Sequence, residues 1–534
     1  MRKLIYLLFI GIVLSLSSCR KDFETVASNG ELKFSKDTIY LDTVFTNIGS
    51  STYTLKVYNR SNKDINIPKI QLGRTNSKYR MMIDGLTGVD EDGNGVGDGK
   101  IFNNVELLAK DSMYVFIETT ASIADANSTD FLYTDDILFG SGSKQQAVNL
   151  VTLIQDAIFL YPKRDAQGVK ETLTLGTDTD GNPVKINGFE LSATDPTNGD
   201  ELHFTKTKPY VIYGYAGVPN GDTLVIDPGA KVYFHAESGI VVQPGASLHI
   251  NGGVSSNPAL PQENEVTFEG DRLEPLYEDV PGQWGTIWLR QGSVDNRIEH
   301  LTLKNSTVGL LVENCPLNIY SSQIYNSANY GILARAAGII GDNLVVNLAG
   351  QTAFQCNIGG SYEFKHCTFN NNWVSSNQYS VLLSNYEKNG DGSNTTNDLT
   401  QANFYNCIIY GSNNVELFLD DVDKDNDGSV DNGVLLRNDF KNCLIKFRDF
   451  GTSLYTNHKE YDKIREGNTN GNIINTDPKF FNSNSNKLNI DNTSAAFTKG
   501  SLTYLVSLDV LGHQRTSSPP DIGAYQSADF PTPN

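Results

Sequence analysis

The chain has 534 residues, more than one compact core usually serves, so several domains or one elongated repeat are expected. Its 47 glycines, 10% aromatic content and four methionines favour turns and strands over helices, while 39% apolar against 19% charged residues excludes a disordered chain. Lys and Arg total 42 against 62 Asp and Glu; the net charge of -20 excludes nucleic acid as a main partner and leaves room for cations.

Arg2 and Lys3 precede an apolar run from Leu4 to Leu16 that is short for a bilayer span, so residues 1–19 read as an export signal. The end of the run, Leu16-Ser17-Ser18-Cys19, resembles a bacterial lipobox, which implies a lipid on Cys19 as the attachment to the membrane. Arg20-Lys21-Asp22-Phe23-Glu24 loosely resembles the surface-export segment of Bacteroidota-type lipoproteins, without the usual unbroken acidic pair. The implied location is the outer membrane, with exposure at the cell surface left open. Residues 20–30 read as a linker. Five further cysteines, Cys315, Cys356, Cys367, Cys407 and Cys443, cannot all pair internally, so a full disulfide framework is excluded.

Residues 31–156 alternate apolar and polar positions in short runs such as Tyr53 to Tyr58 and Tyr114 to Ile117, the period of antiparallel strands with one buried face. This predicts a β-sandwich, and Thr43 to Tyr58 resembles the immunoglobulin-like modules that precede larger domains in bacterial surface proteins. Residues 157–208 are expected to form a connecting segment and cap. From 209 to 450, short β-branched runs broken by Pro-Gly or Gly, as in Asp222 to Phe234, predict a solenoid that turns a corner every few residues.

The repeat pairs an apolar residue with another five positions on: Ile298 with Leu303, Ile319 with Ile324, Ile340 with Val345, Phe364 with Phe369, Phe404 with Ile409, Phe440 with Ile445. Successive starts lie 21, 21, 24, 40 and 36 residues apart, one coil each, the last two with an insertion. A second strand is expected at Leu311, Ile332, Ala353, Val381 and Leu417. This alignment stacks Leu301, Ser322, Asn343, Cys367, Cys407 and Cys443, and predicts buried free thiols, since parallel side chains on flat coils fit disulfide geometry poorly. His300 and His366 share another coil position, expected to be an outward polar stripe. Residues 451–534 should supply the last coils and a C-terminal cap, with Asp509, Arg515 and Asp521 guarding the last edge strand at the open end.

The Pro-Gly turns, the Gln283 to Leu289 strand, the Asn-Cys coil starts and the closing Pro520-Asp521-Ile522-Gly523-Ala524-Tyr525 resemble the right-handed parallel β-helix proteins of the pectate-lyase-like class, above all the bacterial cell-surface lipoproteins among them. The resemblance spans roughly residues 210 to 527. It implies an all-β chain, an N-terminal immunoglobulin-like β-sandwich followed by a right-handed parallel β-helix, and implies no particular activity.

Asp423-Lys424-Asp425-Asn426-Asp427-Gly428-Ser429-Val430-Asp431 places hard oxygen donors at alternate positions around a tight turn, as Ca²⁺ requires, with Asp423, Asp425, Asp427, Ser429 and Asp431 as ligands. A loop of identical spacing offers Asp90, Asp92, Asn94, Val96 and Asp98. Val434 and Ile101 stand where an EF-hand carries a bidentate Glu, so the loops look more like the Asp-rich calcium loops of thrombospondin type-3 and dockerin-like repeats. The competing reading is a solvated acidic turn. The insertions Asn385 to Gln401 and Asp420 to Gly433 should leave the solenoid at one corner, as a binding face or as tolerated loops. Asp420, Asp421, Arg437, Lys441 and Arg448 are the catalytic candidates near them, in no recognisable lyase or glycosidase motif. Trp288 is expected to pack in the core or cap. The leading expectation is a lipid-anchored, calcium-stabilised surface protein that binds a glycan or another surface component. The alternatives are a polysaccharide lyase or glycoside hydrolase acting on acidic polysaccharide, and a structural stalk.

Overall fold

The computed structural model describes residues 25–530, apart from 256, 258, 259, 261, 374, 376, 423–432, 449–460, 462, 463, 465–469 and 517. The described chain is nearly all β and falls into two compact units, one reaching Asp156 and the other starting at Ala157.

The first unit has two sheets around one core. Ile65–Leu72, Leu132–Phe139, Gln146–Gln155 and Thr38–Phe45 pair in that order, with Val26–Ala27 and Ile101–Leu107 on Ile65–Leu72. Lys33–Phe34, Tyr53–Tyr58, Ser112–Thr119 and Tyr79–Ile83 form the second sheet. Alternate residues of both sheets, among them Ile39, Leu55, Ile67, Val115, Ile137 and Leu150, make up the core, as period-two patterning dictates. Two pairings depart from the antiparallel expectation: Gln146–Gln155 runs parallel to Thr38–Phe45, and Val26–Ala27 parallel to Ile65–Leu72. Alternation of side chains specifies which face is buried, not strand direction, so the sequence pattern is blind to this.

The second unit is built from parallel ladders, an arrangement compatible with a β-helix. The chain visits three of them in turn. Ile287–Leu289, Val308–Glu313 and the first part of Tyr330–Asp342 belong to the first ladder. Asn296–Glu299, Pro316–Tyr320 and the second part of Tyr330–Asp342 belong to the second. Leu301–Lys304, Gln323–Ser327 and Val345–Ala349 belong to the third. Parallel pairing begins at Ile158–Leu160, which pairs with Tyr210–Ile212, so the first rung lies inside the segment expected as a connector.

From His300 on, the described rungs turn from the second ladder to the third through one residue in the left-handed region: His300 (φ 46°), Ser321 (46°), Asn343 (53°), His366 (50°), Asn406 (53°) and Asn442 (53°), and Gly471 (71°) precedes the last strand of the third ladder in the same way. Pairing on either side, from Thr302 with Gln323 to Leu444 with Ile473, places these residues one above the other. Asn, Ser, His and Gly recur there because short polar side chains and glycine tolerate positive φ best. His300 and His366 are therefore corner residues and not a polar stripe. His366 is 0% exposed, burial drives its imidazole well below the usual range, and its Nε2 meets Asn406 Nδ2 at 2.9 Å.

This corner also corrects the repeat by one residue. Ile319 pairs with Gly341, not Ile340, and Gly341 with Phe364. Ile340 is 46% exposed, whereas a Cβ on Gly341 would lie 2.8 Å from Phe364 Cδ1: the ring fills the space that Gly341 leaves. The cysteine row accordingly runs Leu301, Ser322, Leu344, Cys367, Cys407 and Cys443, with Leu344 in place of Asn343. On the first ladder the inward row is Leu310, Ile332, Phe354, Val381 and Leu417, so Leu311 and Ala353 are each displaced by one. All five thiols are free and buried, and burial pushes Cys367 and Cys443 well above the usual thiol range. The inner rows end in a phenylalanine stack, with Phe364 5.2 Å from Phe404 and Phe404 5.1 Å from Phe440. Each ring contributes roughly 1.5–3 kcal/mol by burial.

The C-terminal segment runs along the outer face of the third ladder instead of closing the end. Ile490, Ala496 and Ile522 pack on Ile408 and Leu444, and Leu488, Val510, Ala524 and Tyr525 on Val345. It fastens to the corner row: Asn343 donates to Leu508 O at 2.8 Å, Asn406 to Ser501 O at 3.0 Å, and buried Arg515 donates to Asn343 Oδ1 at 2.9 Å. The asparagines that make the turn therefore also hold the covering segment. At the last rungs Tyr461 and Ile464 are buried in the core, and Tyr461 Oη accepts from Leu419 N at 2.7 Å.

Glu416 is a buried carboxyl at the corner between the third and first ladders, accepting from Ser380 Oγ at 2.9 Å and Asn413 N at 2.6 Å. Burial pushes it up from 4.5 to about 7. Its contribution to stability is thus fully present below about pH 4.5 and lost as pH rises through about 7, a span worth roughly 3 kcal/mol. Glu416→Gln is expected to melt above the parent at pH 8 and to lose that advantage at pH 4.5; an offset independent of pH contradicts the assignment. Gly341→Ala is expected to cost about 1–3 kcal/mol by overpacking against Phe364, with partial recovery in the double variant with Phe364→Leu, measured by denaturant unfolding.

Candidate functional site

Residues that alternate with the inner row of the first ladder face outward, and strict register stacks them. Trp288, Leu311, Leu333, Gln355, Leu382 and Phe418 are successive pairing partners. All six are half-buried, forming a row over six rungs at about 4.8 Å per rung that is apolar except at Gln355. Tyr330, Thr352 and Tyr379 run beside it, and the Tyr379 ring stacks on Phe418 at 5.0 Å. Trp288 lies in this outer row, whereas Trp284 is the tryptophan of the core, stacked on Phe234 at 4.3 Å.

A chain of polar contacts rims the row. Arg290 sits 5.6 Å over the Trp288 ring, donates to Gln243 Oε1 at 2.5 Å, and bonds to Leu175 O of the hairpin strand Thr172–Thr177. Trp288 Nε1 donates to Glu313 Oε2 at 2.7 Å. Arg335 reaches Glu313 at 3.5 Å and grips both oxygens of Glu387 at 2.8 and 2.7 Å. Glu387 belongs to the hairpin Tyr386–Lys388 and Asn394–Thr396, inside the first predicted insertion. Two hairpins thus bracket the row, each tied to the rim by an arginine from the ladder, and such paired, planar contacts fix geometry as well as charge. Arrangements of this kind, an apolar strip with charged edges, suit an extended ligand laid across the rungs.

The five catalytic candidates do not converge. Asp420 accepts from Tyr386 Oη at 3.2 Å and Asp421 from Asn385 Nδ2 at 2.7 Å, at the corner after the first ladder. Lys441 pairs with Asp439 at 2.8 Å on the second ladder, exposed Arg437 follows the bridge between Leu399 and Leu436, and Arg448 donates to Asn475 O beyond the third. The two insertions do share a corner: Val422 N donates to Asn385 Oδ1 at 2.9 Å and Leu435 N to Asp398 Oδ1 at 2.9 Å.

A charged row not foreseen from sequence lies on the outside of the second ladder, where Glu299, Tyr320, Asp342, Lys365, Tyr405 and Lys441 are pairing partners. Burial pushes Asp342 up to about 6, and its Oδ1 meets no donor. The signal was available as one charged or aromatic residue per coil, but it becomes visible once Gly341 replaces Ile340 in the register.

Cys19 and the loop ligands Asp423, Asp425, Asp427, Ser429 and Asp431 lie outside the described residues. In the other loop, carboxylate oxygens of Asp90, Asp92 and Asp98 lie within 4.8 Å of one another. Asp90 accepts from the backbone amides of Gly93, Asn94 and Gly95, chiefly Gly95, which hold it below the usual carboxylate range. The same Asp-x-Asp-Gly-Asn sequence recurs at Asp178 to Asn182, where Asn182 N donates to Asp178 Oδ1 at 2.8 Å and simply closes a hairpin. The 90–98 loop differs by a third carboxylate, Asp98, brought in by a 2.8 Å bond from Glu91 N, while Val96 N is bonded to Asn94 Oδ1.

No known protein family matches the sequence, and no curated protein matches it. Among solved structures the chain is similar to the ASH/PapD-like domain 7 of human CEP192, at 15% identity and a TM-score of 0.15, over 26% of this chain and 96% of that one. It is also similar to a family 123 glycoside hydrolase from Clostridium perfringens, at 6% identity and a TM-score of 0.16, over 24% of this chain and 30% of that one. The E. coli chaperone DraB matches at 13% identity and a TM-score of 0.16, over 25% of this chain and 58% of that one. The chain spans less than two thirds of the latter two, and likenesses this slight carry no argument about its function.

Proposed function

We propose that this chain is a lipid-anchored protein of the bacterial outer membrane, in which an immunoglobulin-like sandwich carries a right-handed parallel β-helix that binds a glycan or another extended surface component. The observation that carries the reading is the outer row of the first ladder, Trp288 to Phe418, rimmed by Arg290, Glu313, Arg335 and Glu387. Apolar and aromatic faces take the flat faces of the ligand, and the rim supplies hydrogen bonds that fix its register. On a glycan array, Trp288→Ala is expected to weaken binding at least tenfold with the melting temperature unchanged; undiminished binding sinks this assignment of the face.

A second reading rests on Asp342. An acid near 6 between Tyr320 and Lys365 on adjacent rungs suits proton transfer to an acidic polysaccharide, as in a lyase or glycoside hydrolase. Release of unsaturated or reducing ends by the parent and its loss in Asp342→Asn would favour this reading.

Calcium is proposed as a structural ion at the 90–98 loop and at Asp423 to Asp431. The three converging carboxylates of the first loop support it, with Asn94 and the Val96 carbonyl completing the donor set. Titrating the full chain with Ca²⁺ is expected to give saturable heat, reduced in Asp90→Asn/Asp92→Asn; no heat at millimolar metal contradicts it.

A further inference from the structure

We propose that the outer face of the first ladder takes the end of a glycan chain and not its middle, because the row that forms it is closed on one side. This rests on the reading of that face as a glycan site and adds which part of the polymer it accepts. The row does not begin at Trp288: Glu190, Gly217 and Val241 precede it as successive pairing partners. Strict register would carry an open surface over these rungs as well. The strand Thr172–Thr177, hairpin partner of Pro183–Glu190, covers them instead.

Two glycines make room for that cover. A Cβ on Gly217 would lie 2.7 Å from Leu173 Cδ2, and one on Gly188 2.9 Å from Leu173 Cδ1, so the leucine rests directly on the backbone of the first rungs. Leu173 is 2% exposed, and Gly217 and Val241 are buried. Neighbouring outward positions are filled in the same way by Tyr215: its ring edge would meet a Cβ on Gly239 at 2.6 Å, and its hydroxyl occupies the Cβ space of Gly285. From Trp288 to Phe418, by contrast, every member of the row is part-exposed. A straight chain laid along the rungs therefore fits only with its end at Trp288.

Arg290 marks the boundary. Its guanidinium ties the cover down through Leu175 O and donates to Gln243 Oε1. Arg335 carries ion pairs to Glu313 and Glu387, whereas Arg290 has none among the described residues. A guanidinium has more N–H groups than these two bonds use, and the rest remain for the oxygens of a terminal sugar placed against Trp288.

The test is calorimetric titration of the full chain with mixed-linkage glucan, unbranched xylan, hyaluronan and homogalacturonan, each as a hexasaccharide and as a linear fraction about ten times longer. For a polymer that binds, one protein per chain is expected at both lengths, whereas a face open at both ends would load several proteins on each long chain. Arg290→Gln is expected to weaken binding at both lengths at least tenfold, with Arg290→Lys recovering part of the loss and both variants melting with the parent. Several proteins per long chain, or Arg290→Gln binding as the parent does, overturns this inference and leaves the face reading standing. No binding by any of the four polymers, or binding undiminished in Trp288→Ala, overturns the face reading on which it rests.

Discussion

From His300 on, the second unit depends on one constraint, the left-handed corner that returns the chain to the same height on successive rungs. Because His300, Ser321, Asn343, His366, Asn406, Asn442 and Gly471 turn alike, the strands that follow them pair in strict parallel register. Parallel pairing repeats every side chain in one direction at the rung spacing, so a choice made once per coil becomes a row. Inward rows give the core, including the Phe364, Phe404 and Phe440 stack; outward rows give surfaces longer than any single loop could build. The corner residues serve a further purpose, because their amides hold the C-terminal segment over the third ladder.

The same logic separates the two outer faces. On the second ladder, charges are largely spent within a rung, as Arg297 with Glu299, Lys365 with Glu363 and Lys441 with Asp439. Exposed pairs of this sort add little net attraction for a ligand. On the first ladder the charged groups are tied along the rim, and the apolar row between the two hairpins stays uncovered by them at Trp288, Leu311 and Leu333, all part-exposed. This contrast, and not the presence of acidic residues near the insertions, is what favours the first ladder as the proposed binding face.

Much of the architecture was legible from local pattern. Short β-branched runs between Pro-Gly turns, and the Phe364, Phe404 and Phe440 starts, follow directly from period-two alternation and a single inward ring per coil. The register errors are one residue wide, and the one on the second ladder has a clear cause. Ile340 looks like an inward apolar residue, but the corner at Asn343 fixes the register, and glycine is the inward residue because Phe364 occupies its volume. A size exchange between neighbouring rungs cannot be read from either coil alone. The outer rows were hidden for the same reason, since Trp288 and Phe418 lie 130 residues apart in sequence and share one row only through register. Among the acidic loops, Asp178 to Asn182 shows that Asp-x-Asp-Gly-Asn can be a turn and nothing more, and Asp98 is the further carboxylate that sets the 90–98 loop apart.

The claim that the first ladder presents the ligand face is tested most directly by hydrogen–deuterium exchange of the full chain with and without the oligosaccharide that binds best. The account predicts added protection in peptides covering Ile287–Leu289, Val308–Glu313, Tyr379–Ser384 and Leu417–Asp420, segments separated in sequence and joined by register. Protection confined to Asn296–Glu299, Pro316–Tyr320 and Asp439–Lys441 of the second ladder would contradict it.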